Sequence, residues 1–126
     1  MGEIMNRFGE MEREVITTVL RREYPELSDL WQDRYFVKVR EFTGVGFFSH
    51  LSKCDSGAEE SESLLRPVDN RTALASVGAT LNKEISVGFV LFLENGHLDC
   101  LEGFTFGEES WPESIESYEV QVLTFE

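Results

Sequence analysis

An Asn-Gly pair at 95–96 separates two long apolar runs, GFVLFLE before it and HLDCLEGFTF after it. A two-residue hairpin turn of the I′ type needs positive φ at both central positions, which Asn and Gly tolerate, so this pattern predicts a β-hairpin. Before the turn, Val87, Phe89, Leu91 and Leu93 fall on one face, and Val90 and Phe92 on the other. A strand apolar on both faces belongs in the middle of a sheet, with both sides at least partly covered. After the turn, Leu98, Cys100, Phe104 and Phe106 are expected on one side against Asp99, Gly103 and Thr105 on the other. The hairpin is the expected spine of the domain.

The rest of the chain supplies one helix and the remaining strands. Ile4, Phe8, Met11, Val15 and Val19 recur at three- and four-residue spacing, with Met5, Ile16 and Leu20 widening the stripe. This periodicity predicts a helix from about Glu3 to Arg22, closed by Pro25 and complemented by Arg21 and Arg22 at its C-terminal end. Gly9 costs that helix about 1 kcal/mol relative to alanine. Residues 26–33 suggest a short second helix or turn, with Trp31 as a lid on the core. Strands are predicted over 34–43 and from Val45 to Ser52, joined by Gly44 and Gly46, and again over TALASVGATL and YEVQVLTF. In the first of these, Tyr35, Val37 and Val39 are assigned to one face, and Phe36, Lys38, Arg40 and Phe42 to the other. In the third, Ala73, Ala75, Val77 and Ala79 share a face. The Ser-, Gly- and Glu-rich stretch at about 54–64 reads as a mobile acidic loop.

At 126 residues these elements make a single domain, 1–126, with a core that needs no disulfide or metal staple. The expected class is α+β, an N-terminal amphipathic helix packed on a curved, mostly antiparallel sheet of five or six strands. A cystatin-like arrangement is the first expectation and another two-layer α+β sheet the second. Cys100 reads as a buried small hydrophobe and Cys54 as a loop-edge thiol. No apolar run approaches the roughly 18 residues of a membrane span. The first residues also lack the apolar core of a signal peptide, so a cytoplasmic location is expected.

Charge is unevenly placed. The formal net charge is −13, and residues 84–126 hold ten acids and no lysine or arginine, a charge of −10 against −3 for residues 1–83. Phosphate contacts need Lys and Arg, so nucleic acid is excluded as the natural partner. A basic protein partner fits such a field. The sharpest candidate surface is the acidic loop, where Glu108, Glu109, Glu113 and Glu116 surround Trp111. An aromatic anchor ringed by carboxylates has the form of a binding hot spot, and the competing reading folds Trp111 back onto the sheet.

Catalytic motifs are lacking. There is no GxSxG, no HExxH and no paired CxxC. His97 with Asp99 forms at most an oriented pair, and Cys100, His97 and Asp99 fall one ligand short of a metal site. No cofactor is expected. Glu102, an acid in an otherwise apolar run, needs a partner if buried, and Arg40 is the natural one.

Two blocks, REFTGVGFF at 40–48 and GFVLFLENGHLDCLEGFTFGEESWP at 88–112, carry a resemblance. The chain resembles a family of small bacterial proteins of unknown function. Its members share an Arg-Glu-x-Thr-Gly-Val-Gly-Phe block and a later Leu-Glu-Gly-aromatic-Thr-aromatic block ending in Trp-Pro. That family implies no catalytic residues. In character the chain is also similar to the small acidic immunity proteins that neutralise toxins. The function these features favour is a non-enzymatic protein-binding module with an acidic C-terminal face. The alternative is a small-ligand-binding protein with a cavity between helix and curved sheet. An edge strand or the Phe48 side of the sheet offers a surface for a homodimer.

Overall fold

The computed structural model describes residues 7–54, 71–107 and 109–123, apart from the side chain of Arg71. The acidic loop expected at about 54–64 lies almost wholly outside the described residues, as do Ile4, Met5 and Glu108. One helix, α1 (Phe8–Glu23), precedes six strands: β1 (Tyr35–Phe42), β2 (Gly46–Lys53), β3 (Arg71–Leu81), β4 (Ile85–Glu94), β5 (His97–Thr105) and β6 (Tyr118–Val122). They form one antiparallel sheet in the order β1-β2-β5-β4-β3-β6, open at both edges. The α+β class with an N-terminal helix is therefore observed, and β4 and β5 occupy its centre as the hairpin pattern required. Asn95 and Gly96 take φ of 54° and 81°, the two positive values of the I′ turn.

Helix α1 covers one face of the sheet. Met11, Val15, Ile16, Val19 and Leu20 are fully buried in one core with Val77 and Leu81 of β3, Phe89, Leu91 and Leu93 of β4, Phe47 of β2 and Leu101 of β5. Each such side chain contributes about 1.5–3 kcal/mol relative to remaining in water. The helix stops because Tyr24 precedes Pro25, which disfavours α geometry there; Tyr24 takes φ −144°, ψ 72°. The expected second helix is two 3-10 turns, Pro25–Leu27 and Trp31–Asp33. Trp31 is buried, and its Nε1–H donates to Thr17 Oγ1 at 3.0 Å, which makes it a lid on the core. Tyr118 ties β6 to the helix. Burial and the nearby Glu14 and Glu10 carboxylates push its hydroxyl up to about 12.

Three single-residue irregularities set which side chains face the helix. The β1–β2 register shifts between Val37 and Val39, leaving Lys38 as the extra residue. Beyond it the alternation is inverted, so Arg40 and Phe42 join Tyr35 and Val37 on the inner side, while Val39 and Glu41 turn outward. The β3–β4 register shifts between Leu74 and Val77, so Ala73 and Ala75 are exposed while Val77 and Ala79 are buried. The β4–β5 register shifts at Asp99, so Leu98 stays inside and Cys100 goes out. The strict alternations expected for these three strands are corrected accordingly.

Candidate functional site

The inner side of the sheet holds a buried polar cluster. Arg40 donates from Nη2 to Glu12 Oε1 at 2.6 Å and from Nε to Glu12 Oε2 at 3.2 Å, and Ser49 Oγ–H donates to the same carboxylate. Glu12 is 2% exposed, and the Arg40 guanidinium also lies over the Phe8 ring, 5.0 Å from its centroid. Both carboxylate oxygens are satisfied, so the cluster is a closed structural pair. The pairing of Arg40 with Glu102 expected from the sequence is not made. The Lys38 bulge brings Arg40 to the helix side, opposite Ser49, whereas Glu102 pairs with Phe48 on the outer side. Glu12 escaped sequence reasoning although a signal was present. Phe8, Val15, Ile16 and Val19 stand at −4, +3, +4 and +7 from it, so the acid lies within the apolar stripe.

The acidic loop is anchored rather than free-standing. Trp111 N–H donates to the Gly44 carbonyl at 2.9 Å, and Ile115 is buried. The Asn82 side chain binds the loop at three points: its amide donates to the Ser114 carbonyl, and its oxygen accepts from the N–H groups of Glu116 and Ser117. Trp111 is half-buried and packs edge-on against Phe47 and Phe8, at 5.1 and 6.5 Å between centroids. Of the two readings of Trp111, the structure has the one that folds back: the indole closes the end of the core. Glu109, Glu113 and Glu116 remain exposed, without an aromatic centre to surround; Glu108 lies outside the described residues.

His97 Nδ1 and the Tyr35 hydroxyl share a hydrogen bond of 2.9 Å. Burial, then the Lys53 charge, holds the His97 imidazole below its usual value, and burial raises the Tyr35 phenol. With its folded pKa lowered, His97 binds a proton later than in the unfolded chain, so its contribution to stability is present above about pH 6.5 and falls away below it. The chemical-denaturation midpoint of the wild type is expected to drop more between pH 7 and pH 5 than that of His97→Gln. Equal drops would contradict this assignment.

The outer side of the sheet carries the distinctive surface. Phe48 on β2, Val90 and Phe92 on β4 and Phe104 on β5 are each half-exposed there, with Val39 and Phe106 exposed at its margins. Phe104 and Phe106 meet edge-on at 5.6 Å over Gly88, where a Cβ would strike both rings. Among the described residues no helix lies on this face, since α1 packs against β3, β4 and β6 from the other side. The outward ladder positions bring Glu41, Glu94, Glu102 and Glu119 to the same face; those of β2, β4 and β5 hold no lysine or arginine, while Arg71 takes the ladder position opposite Glu94 on β3. Near its β1–β2 end a groove of about 410 Å³ is lined by Glu41, Phe48, His50, Phe92, Asp99 and Cys100. His50 Nε2 lies 3.0 Å from Glu41 Oε1. No three His, Cys, Asp or Glu side chains among the described residues are arranged to hold a metal ion. Cys54 and Cys100 are not joined in a disulfide, and Cys100 is buried. The groove lies on the opposite side of the sheet from the cavity expected between helix and strands.

Comparison with protein-family models, with curated proteins and with solved structures finds no match to this chain. The resemblance at 40–48 and 88–112 rests on those two blocks alone. Among the described residues no helix is long and apolar enough to cross a membrane.

Proposed function

We propose that the protein is a non-enzymatic binding module that receives a basic protein partner on the outer face of its sheet. The observation that carries this reading is the combination, on one face that no described helix covers, of Phe48, Phe92, Phe104 and Phe106 with Glu41 and Glu102, where the outward ladder positions of β2, β4 and β5 hold no lysine or arginine. One solvated face is ordinary for an antiparallel sheet, but such a face is normally polar. Aromatic residues enclosed by acids bury well only against a partner that brings apolar groups and positive charge together. A second copy is a poor occupant, because it would set carboxylates against carboxylates.

A fluorescein-labelled peptide of alternating arginine and leucine probes this face. Glu41→Lys with Glu102→Lys changes the outer face, and Glu113→Lys with Glu116→Lys makes the same change of net charge in the loop. The first pair is expected to weaken binding at least about tenfold and to flatten its salt dependence, the second to leave affinity within about twofold. Equal losses from the two pairs would contradict the reading.

A further inference from the structure

Resting on that reading, we infer that the groove between β1, β2, β5 and β4 is the anchor pocket for a single arginine side chain of the partner. At about 410 Å³ it has the size of a small-molecule subsite, enough for one long side chain. Its floor is aromatic. The Phe48 and His50 rings stand 6.5 Å apart and 23° from parallel along β2, and Phe92 borders them from β4. Its charge comes from two sides, Glu41 on β1 and Asp99 on β5.

Both carboxylates owe their place to the bulges. Were β1 regular through Lys38, Glu41 would alternate to the helix side. The irregularity at Asp99 sets that residue beside Cys100 on the groove. Bulges next to binding sites commonly re-aim a side chain in this way. A planar guanidinium stacks on aromatic faces while its edge donates to carboxylates, whereas an ammonium is a compact, strongly hydrated charge with no flat face. The groove's walls therefore suit arginine over lysine.

Nuclear magnetic resonance titration of the full-length chain with Nα-acetyl-arginine amide tests this, with Nα-acetyl-lysine amide for comparison. Shifts are expected to concentrate at Phe48, His50, Phe92, Asp99 and Cys100, with the lysine compound binding more weakly. Asp99→Asn is expected to weaken the arginine compound about tenfold. Glu41→Gln provides a second variant at a side chain 64% exposed, whose loss does not threaten folding. Shifts spread over the carboxylates of the loop, or affinity unchanged in both variants, would overturn the assignment. If the arginine–leucine peptide binds the outer face while the arginine compound leaves the groove undisturbed, the pocket falls and the binding module stands. If the peptide also fails, both fall.

Discussion

Arg40→Met is expected to cost the protein about 3 kcal/mol, measured by chemical denaturation, although Arg40 lies near the edge of the sheet. Removing one partner of a buried ion pair leaves the other charge uncompensated, which costs about 3–5 kcal/mol. Here the orphan is the Glu12 carboxylate, 2% exposed and left with Ser49 as its remaining donor. The Arg40 side chain is 36% exposed, so water already shares the guanidinium, and the loss falls at the lower end of that range. The double variant Glu12→Leu with Arg40→Met supplies the decisive comparison. Replacing a buried pair by apolar residues of similar volume is often neutral or stabilising, so the double variant should recover most of the stability. Losses that simply add would show that the two residues do not act as a pair.

Gly46→Ala should be at least as damaging, for a steric reason. A Cβ at Gly46 would fall on the Gly103 carbonyl oxygen and lie 3.0 Å from the Cα of Phe104, all backbone of the neighbouring strand. No rotamer relieves such a collision, and β2 must part from β5 exactly where the β1–β2 hairpin joins the centre of the sheet. A loss of about 3 kcal/mol or more follows, the upper end of overpacking. Two other glycines calibrate it. Gly44→Ala meets no atom within 4 Å but must hold φ at +97°, a cost of about 1–2 kcal/mol. Gly9→Ala touches only the tip of Arg13 and should stabilise the helix by about 1 kcal/mol. A melting-temperature order of Gly9→Ala highest, wild type next, then Gly44→Ala, with Gly46→Ala lowest, checks all three. Gly46→Ala melting with the wild type would mean that β2 and β5 do not approach this closely.

Local chemistry made much of this architecture readable. The Asn95-Gly96 turn can hardly be anything but a tight hairpin, and the two apolar faces of Val87–Leu93 placed that strand at the centre. The stripe along α1 was equally plain. Non-local placement was what escaped. A bulge adds one residue without altering composition, yet it inverts every later side chain, which is why Arg40 was assigned away from Glu12 and towards Glu102. Trp111 looked like an exposed anchor because the carboxylates around it are adjacent in sequence. Gly44 holds Trp111 and Asn82 holds the rest of its loop, both far away in the chain. Glu12 was readable and overlooked. The outer face was half legible: Val90 and Phe92 announced an apolar second side, but periodicity does not reveal that no helix among the described residues covers it.

The central claim is that this outer face, rather than the acidic loop or overall charge, engages the partner. Affinity capture from the native host's lysate tests it most directly, using wild type and the two charge-reversed pairs as baits at low and moderate salt. The account predicts a basic protein retained equally by wild type and the Glu113/Glu116 pair, released by salt, and missing from the Glu41/Glu102 pair. Retention of that protein by the Glu41/Glu102 pair, or its loss from the Glu113/Glu116 pair alone, would contradict it.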